Sequence, residues 1–214
     1  MESFQSSHGK TIVLSLVKAI QDNAAYLSEV DGAIGDGDHG INMNKGFTLT
    51  QTKIGDQDVD LSSGLETLGN TLLTEIGGAM GPLYGTFFIE MADASSGKAE
   101  IDSQTFGKML DAALGAVQDL GSAQLGDKTL LDTLIPARNA YFEALAAGKS
   151  FAEALQVMAA AAEAGKEATR DMVAKIGRAS RLGERSRGHL DAGATSCNLI
   201  LQALASSMIS LLTS

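Results

Sequence analysis

The chain has 214 residues, which is long enough for one domain with a sizeable core and short for two. Its acidic residues outnumber its basic ones by 26 to 16, and this net charge of −10 excludes the basic surface that a nucleic-acid-binding protein needs. One cysteine, Cys197, excludes an intramolecular disulfide and a multi-cysteine metal site, and it fits a reducing compartment.

Apolar residues recur with a helical period along nearly the whole chain, and no segment shows the sustained alternation of a strand. The first helix is predicted over Ile12–Leu27, where apolar residues fall on one face. Further helices are predicted, in chain order, near 41–53, 62–76, 82–94, 106–117, 129–147, from 150 onward and near 194–212. The pattern indicates an all-α fold, a bundle of about eight helices in a single domain over residues 1–214.

Several residues predict where these helices begin and end. Ser150 followed by Glu153 forms a capping box that opens a helix, and Gly177 could close it. Pro82 fits the first turn of another helix, whereas Pro136 predicts a kink or a late start.

Neither end of the sequence carries a targeting signal. Met1–Lys10 is polar and lacks the apolar segment of a secretory signal. The long apolar stretch Asn198–Leu212 is shorter than the roughly 20 residues that cross a membrane, and it includes several polar residues. We therefore expect a buried core helix there, in a cytoplasmic protein with no membrane partner.

Three carboxylates, those of Asp31, Asp36 and Asp38, lie within eight residues in a predicted glycine-rich loop that has no lysine or arginine. Carboxylates this close repel one another unless a cation neutralises them, and hard oxygen ligands favour Mg²⁺ or Ca²⁺. The spacing of an EF-hand is missing, and a site with few protein ligands, completed by water and phosphate oxygens, is typical of Mg²⁺. The alternative is a solvated turn that uses Asp and Gly for positive φ.

Two further glycine-containing stretches could serve a phosphate group. Gly77–Pro82 leads straight into a predicted helix, so its backbone N–H groups could bind an anion, although an ordinary helix connection would look similar. It is not a P-loop, because no Gly-Lys-Ser/Thr follows. In Gly126–Thr129, the Asp or the Thr could cap the next helix.

A basic segment stands out within this acidic chain. Residues 175–187 hold five basic side chains, Lys175, Arg178, Arg181, Arg185 and Arg187, against one acidic side chain, a local net charge of +4. Such a segment suits contact with phosphates. The alternative is a solvated helix face, which the intervening glycines disfavour. A carboxylate cluster, loops rich in N–H groups and this basic segment together indicate a Mg-nucleotide site.

Five motifs carry a resemblance to a known family. They are Ile34–Phe47 (IGDGDHGINMNKGF), Gly77–Phe88 (GGAMGPLYGTFF), Gly126–Thr129 (GDKT), Gly177–Ser186 (GRASRLGERS) and Gly188–Ser196 (GHLDAGATS). In this order and spacing, the chain resembles the nucleotide-binding L subunit of dihydroxyacetone kinase over nearly its whole length. The resemblance implies a barrel of eight antiparallel helices that binds ADP or ATP at one end through two Mg²⁺ ions.

The resemblance also assigns site residues. Asp31, Asp36 and Asp38 would hold both metals, and Arg178 would contact the phosphates and stabilise the charge of the transferred group. The residues expected to contact the nucleotide are His39, Gly40, Ile41, Asn42, Ala79, Met80, Gly121, Leu130, Arg178, Asp191, Ala192 and Gly193. Two of them depart from the family: Met80 stands where Ser is common, which removes a hydroxyl, and Ala192 where many members have Pro.

The function implied by the resemblance is that of a phosphotransferase subunit acting on dihydroxyacetone or a related short ketose. In the family, a separate K subunit holds the ketose, and in the phosphoenolpyruvate-dependent branch the M subunit, which carries a phosphohistidine, recharges bound ADP. The alternatives are an ATP-dependent kinase subunit that exchanges its nucleotide, an ADP-loaded regulator that contacts a transcription factor, and a helical bundle with an incidental cation site.

Overall fold

The structure is a computed structural model that describes residues 2–212. Nine α-helices account for most of it, which confirms the predicted all-α class. They are α1 (Gly9–Asp22), α2 (Ala24–Ile34), α3 (His39–Ile54), α4 (Leu61–Glu75), α5 (Met80–Ser95), α6 (Ser103–Leu120), α7 (Leu131–Ala146), α8 (Phe151–Ala168) and α9 (Ala192–Leu211). Two strands, β1 (Ser3–Gln5) and β2 (Glu100–Asp102), form an antiparallel pair. The single domain over 1–214 stays a prediction, and Met1, Thr213 and Ser214 lie outside the described residues.

Eight of the helices form a closed ring in the order α1, α3, α4, α5, α6, α7, α8, α9, with α9 packed back against α1. Neighbouring helices of the ring run in opposite directions, since α1, α4, α6 and α8 begin at one end and α3, α5, α7 and α9 at the other. The ring is filled by aliphatic side chains and by aromatic rings in edge-on contact, such as Phe47 and Phe88 with centroids 6.1 Å apart. The remaining helix, α2, lies outside the ring and packs on α3 and α9.

Amphipathic sequence explains why these segments become helices. In α1, Ile12, Leu16 and Ile20 recur at intervals of four residues, and all three are fully buried. Full burial of such side chains contributes about 1.5–3 kcal/mol each. Packing of this face against the rest of the ring therefore stabilises a segment too short to be a stable helix alone.

One end of the ring, here called the far end, is closed by the chain itself. It contains β1, β2 and the N-termini of α1, α4, α6 and α8, joined by hydrogen bonds such as Lys10 N–H to the Val59 carbonyl (3.1 Å). The carboxylates of Asp60 and Asp102 cap α4 and α6. The predicted capping box of Ser150 and Glu153 is confirmed at the start of α8.

Four predictions about element boundaries need correction. The first predicted helix is broken at Asn23, so it becomes α1 and α2. Gly177 does not close the helix that follows Ser150, because α8 ends at Ala168, where a 3₁₀ turn follows. Ser3–Gln5 pairs with β2 instead of forming part of a polar tail, and Pro136 lies inside α7, which starts two residues later than predicted.

The apolar C-terminal segment forms α9, a helix long and apolar enough to cross a membrane by length and composition. Within the protein, 61% of the apolar window in this helix is buried. This burial fits the core helix that the sequence predicts.

Candidate functional site

The opposite end, here called the site end, holds a pocket of about 540 Å³. This is where α2 ends and where α3, α5, α7 and α9 begin. The predicted site residues that line the pocket are Asp31, Asp36, Asp38, His39, Asn42, Ala79, Met80, Leu130, Arg178, Asp191, Ala192 and Gly193. The structure therefore brings together residues that are separated by up to 162 positions in the sequence.

The three aspartates converge at this pocket. Asp31 lies in the last turn of α2, and not in a loop as predicted, while Asp36 and Asp38 follow in the connection to α3. One carboxylate oxygen from each can be chosen so that all three lie within 4.8 Å of one another. Oxygen donors at this separation fit a hard divalent cation such as Mg²⁺.

Gly40 shapes the cluster through packing. A Cβ atom at this position would overlap the Ala24 carbonyl oxygen and would press on Ser28, so only glycine lets α3 approach α2 this closely. That approach fixes Asp31 relative to Asp38. Gly40 itself is buried, and the neighbouring Ile41 is 66% exposed; neither lines the pocket.

The residues that lead into α5, Gly77 to Met80, line the pocket. Gly77 and Gly78 lead into this helix, and Gly78 has a φ of +74°, a conformation that favours glycine. The residue before the helix is Ala79, whose side chain cannot cap it, so the first N–H groups stay available to a ligand. Pro82 lies in the first turn, as predicted, where its missing N–H costs no helical hydrogen bond.

The His39 ring is hydrogen-bonded to a chain of polar groups inside the protein. The Ser196 hydroxyl lies 2.9 Å from Nε2 of His39 and 2.6 Å from the Tyr84 hydroxyl, which also donates to the Gly193 carbonyl at 3.0 Å. Burial lowers the pKa of His39 to about 4, so the ring is neutral at pH 7. Sequence reasoning missed Tyr84 and Ser196. The available signal was that a hydroxyl on a core-facing helical position needs a partner.

The Gly126–Thr129 turn has a structural role that was only partly predicted. The Thr129 hydroxyl accepts a hydrogen bond from Leu131 N–H (3.2 Å), but the N-cap position of α7 is Leu130, so neither Asp127 nor Thr129 is the expected cap. Asp127 instead accepts from Gln124 N–H, and Asp132, which was not singled out, accepts from Gly126 and Thr129. Lys128 in this turn is 1% exposed.

The basic segment is not a regular helix face. Residues Arg178–Ser186 form 3₁₀ turns interrupted at Gly183, where φ is +55°. Arg178 forms an ion pair with Asp36, while Arg181 and Arg185 are exposed. Of the five basic residues, Arg178 alone lines the pocket.

The loop before α9 brings the first residues of this helix to the pocket. The carboxylate of Asp191 caps α9 by accepting from Ala194 N–H at 2.7 Å, and burial raises the pKa of Asp191 to about 7. Ala192, Gly193 and Leu130 lie beside it in the pocket lining. Gly121 follows the end of α6, is exposed and lies outside the lining.

A comparison with protein families matches residues 33–206 to the model described as the DAK2 domain. The chain belongs to the DAK2 domain family. The match covers all the motifs at the pocket and, among the three clustered aspartates, leaves out Asp31 alone.

Relatives of this DAK2 domain protein carry specific names. It is 40% identical over 84% of its length to the "PEP-dependent dihydroxyacetone kinase, ADP-binding subunit DhaL" of Escherichia coli K12, of which 86% is covered. It is 37% identical over 89% of its length to the corresponding subunit of dihydroxyacetone kinase 1 of Listeria innocua, of which 91% is covered.

A solved structure supports the fold. The dihydroxyacetone kinase of C. freundii in complex with AMP-PNP and Mg²⁺ aligns with a TM-score of 0.67 at 25% identity, over 93% of this chain. The chain spans about a third of the length of that kinase (33%).

Proposed function

We propose that this protein is the ADP-binding subunit of a phosphoenolpyruvate-dependent dihydroxyacetone kinase. The observation that carries the proposal is the cluster of Asp31, Asp36 and Asp38 at a pocket that is also lined by the starts of α3 and α5. Carboxylates and free helix N–H groups at one pocket form a site for a divalent cation and the phosphates it accompanies. The similarity to subunits with this name over most of both chains supports it.

The donor set of the aspartates fits magnesium, and we propose that the three carboxylates hold two Mg²⁺ ions. Bound Mg²⁺ would neutralise phosphate charge during phosphoryl transfer. The chain's own contribution is to keep three like charges close together. The close packing of α2 on α3 at Gly40 provides this by fixing the backbone on both sides of the cluster.

The nucleotide would lie along the remaining lining of the pocket, whose volume of about 540 Å³ is in the usual range of small-molecule sites. Backbone N–H groups at Ala79 and Met80 would bind phosphate oxygens, so the side chain of Met80 does not remove this contact. His39 and Asn42 would flank the phosphates, and Leu130 with 191–193 would enclose the nucleoside. Gly40 and Ile41, in the first turn of α3, would contribute only backbone groups, and Gly121 would contribute only after a shift of the loop that follows α6.

Arg178 would be the residue that acts on the transferred group. Its guanidinium reaches the metal cluster through the ion pair with Asp36, and its charge never titrates in the physiological range. At this place it can stabilise negative charge that develops on the phosphoryl group.

The ketose would be held by a K subunit and the phosphoryl group supplied by an M subunit, both docking in turn at the site end, in the cytoplasm. The large apolar side chains that the structure describes as exposed are Tyr26, Ile41, Leu73, Leu120 and Leu125. Each belongs to α2, to the start of α3 or to the C-terminal end of α4 or α6 and the loop that follows. Tyr26 lies in the first turn of α2, and the other four lie where α3 begins or where α4 and α6 end, which is the site end. Exposed apolar surface there supports partner docking.

The proposal is tested by the nucleotide content and the phosphoryl donor. Native mass spectrometry of the purified protein is expected to show the added mass of ADP with Mg²⁺, lost after EDTA treatment. With a K subunit and dihydroxyacetone, the product should form from a phosphorylated M subunit without added ATP. Turnover that requires added ATP and starts from nucleotide-free protein would instead identify the ATP-dependent type. No ADP binding at any concentration would refute both.

A further inference from the structure

Lys128 adopts an unusual backbone conformation in the Gly126–Thr129 turn. With a φ of +64°, it is the one non-glycine residue at positive φ among residues 2–212. The turn is held in this shape by the Asp132 carboxylate, which accepts from Gly126 N–H at 2.5 Å and from Thr129 N–H at 2.7 Å. A non-glycine residue in this region carries strain, so the surrounding structure must determine the conformation.

The conformation directs the Lys128 side chain into the protein. Its ammonium group donates to the backbone carbonyls of Met172 (3.2 Å), Ser186 (2.5 Å) and His189 (2.7 Å). An ammonium has three N–H donors, so all of them are used by carbonyls and none remains for a phosphate. Lys128 lines the pocket, but its ammonium group is bonded to three residues that lie outside the lining.

The three carbonyls belong to both ends of one segment, residues 172–189, here called the arginine segment. Lys128 therefore links the beginning of this segment, at Met172, to its end, at Ser186 and His189. A second link of the same kind joins Ala174 N–H to the Ser186 hydroxyl at 2.9 Å. The tip of the segment, residues 176–179, lines the pocket and contains Arg178, which pairs with Asp36.

We propose that Lys128 is a positioning residue: it clamps the base of the arginine segment, so that Arg178 is held over the metal cluster and bound nucleotide is retained. The retention of nucleotide rests on the function proposed above. The clamp itself does not, because it concerns contacts within the chain. Lys128 acts through the segment and makes no phosphate contact of its own, unlike the lysine of a P-loop.

The test compares Lys128→Met with Lys175→Met. Lys175 lies in the arginine segment and pairs with Asp127 at 3.2 Å, but its side chain is 63% exposed. Both variants remove one positive charge near the site, while only Lys128→Met removes the clamp. Release of a fluorescent ADP analogue in Mg²⁺ should be about 10-fold faster or more in Lys128→Met, because three charge-assisted hydrogen bonds are lost. Lys175→Met should change it less than about twofold.

Limited trypsin digestion without nucleotide gives a readout that is independent of binding. Cleavage after Arg178, Arg181 and Arg185 should be about 10-fold faster in Lys128→Met, since opening of this segment controls access. Cleavage after Lys98, in an exposed turn remote from the site, should stay at the wild-type rate. A general loss of stability would speed both.

Each other outcome overturns a defined part of the proposal. Equal release and equal cleavage in Lys128→Met and wild type would refute the clamp. Equal effects of the two variants would show that charge alone matters. If the wild type binds no ADP analogue, the proposed function fails, while the trypsin result still decides the clamp.

Should Lys128→Met not fold, the wild-type protein still provides a test. Reductive methylation with formaldehyde and borohydride should modify Lys175 at least about 10-fold faster than Lys128, because the Lys128 amine is buried and fully hydrogen-bonded. Equal rates at the two lysines would refute the clamp.

Discussion

The two ends of the helical ring differ in how the N-termini of their helices are satisfied. At the far end, α4, α6 and α8 begin with Asp60, Asp102 and Ser150, whose side chains accept hydrogen bonds from the first turn. At the site end, α3, α5 and α7 follow Asp38, Ala79 and Leu130, whose side chains accept no such bond. Each end has one exception: Asp191 caps α9 at the site end, and α1 at the far end has no side-chain cap.

Capped and uncapped helix N-termini have different consequences for folding and for ligand binding. A capped N-terminus has its free N–H groups paired within the chain and contributes to folding. An uncapped N-terminus keeps N–H groups and the positive end of the helix dipole for a ligand anion. Three of the four helices that begin at the far end are therefore capped by the chain itself, whereas three of the four that begin at the site end have no side-chain cap, which suits the proposed ligand.

The largest expected effect is at the metal cluster. Asp38→Ala should weaken Mg-ADP binding more than about 100-fold, since one of three clustered carboxylates is removed. Because the Asp38 side chain caps no helix, the free energy of unfolding should change by less than about 0.5 kcal/mol. Isothermal titration calorimetry and urea unfolding measure the two effects.

Asp56→Ala is the matched control, because it removes the same charge from an exposed position in the connection between α3 and α4. It should bind Mg-ADP as the wild type does. Asp38→Ala protein that binds normally would contradict the assignment of the cluster.

The second effect concerns phosphoryl transfer. Arg178→Gln should lower kcat about 100-fold, with a smaller loss of ADP affinity, since the guanidinium is proposed to stabilise charge that develops during transfer. Arg181→Gln, in the same segment but exposed and outside the pocket lining, should keep kcat within about twofold. Steady-state kinetics with the partner subunits compare them. Equal losses in both variants would point to the charge of the segment as a whole.

The smallest effect is expected at the far end. Asp102→Ala should lower the free energy of unfolding by about 1 kcal/mol at pH 7 and leave ADP affinity unchanged. The Thr105 N–H, which donates to this carboxylate at 2.7 Å, is the main cause that lowers the pKa of Asp102. A lowered folded-state pKa adds stability above the unfolded-state pKa that is lost as the pH falls. The difference from wild type should therefore shrink below about pH 4.

Asp119→Ala serves as control for this last prediction, because Asp119 is exposed near the other end of the same helix. Its removal should not destabilise the protein, since a carboxylate near a helix C-terminus is unfavourable. A fall in ADP affinity in Asp102→Ala would mean that the two ends are not independent.

Much of this architecture was predictable because it rests on local signals. Helical periodicity located the ring helices, and the Ser150 capping box was read from two residues. The break at Asn23 was not predictable, because apolar periodicity continues through it. The packing of α2 on α3 determines where the chain turns. The end of α8 was misplaced for a similar reason, since glycine is only one way to stop a helix.

The site shows the same limit. Charged residues that cluster in sequence, such as Asp31, Asp36 and Asp38, could be predicted as a site from their spacing alone. Tyr84, Ser196 and the buried ammonium of Lys128 act through partners up to 157 positions away, and a pairing of that kind leaves no pattern along the chain.

The glycine at position 40 affects how mutational scans of this protein should be interpreted. Its hydrogen atom occupies the place where any larger side chain would force α2 away from α3. A scan scored by activity alone would give Gly40→Ala and Asp38→Ala the same result, although the first displaces a helix and the second removes a proposed metal ligand. Only a separate measurement of folding distinguishes a residue that contacts the nucleotide from one that makes room for those that do.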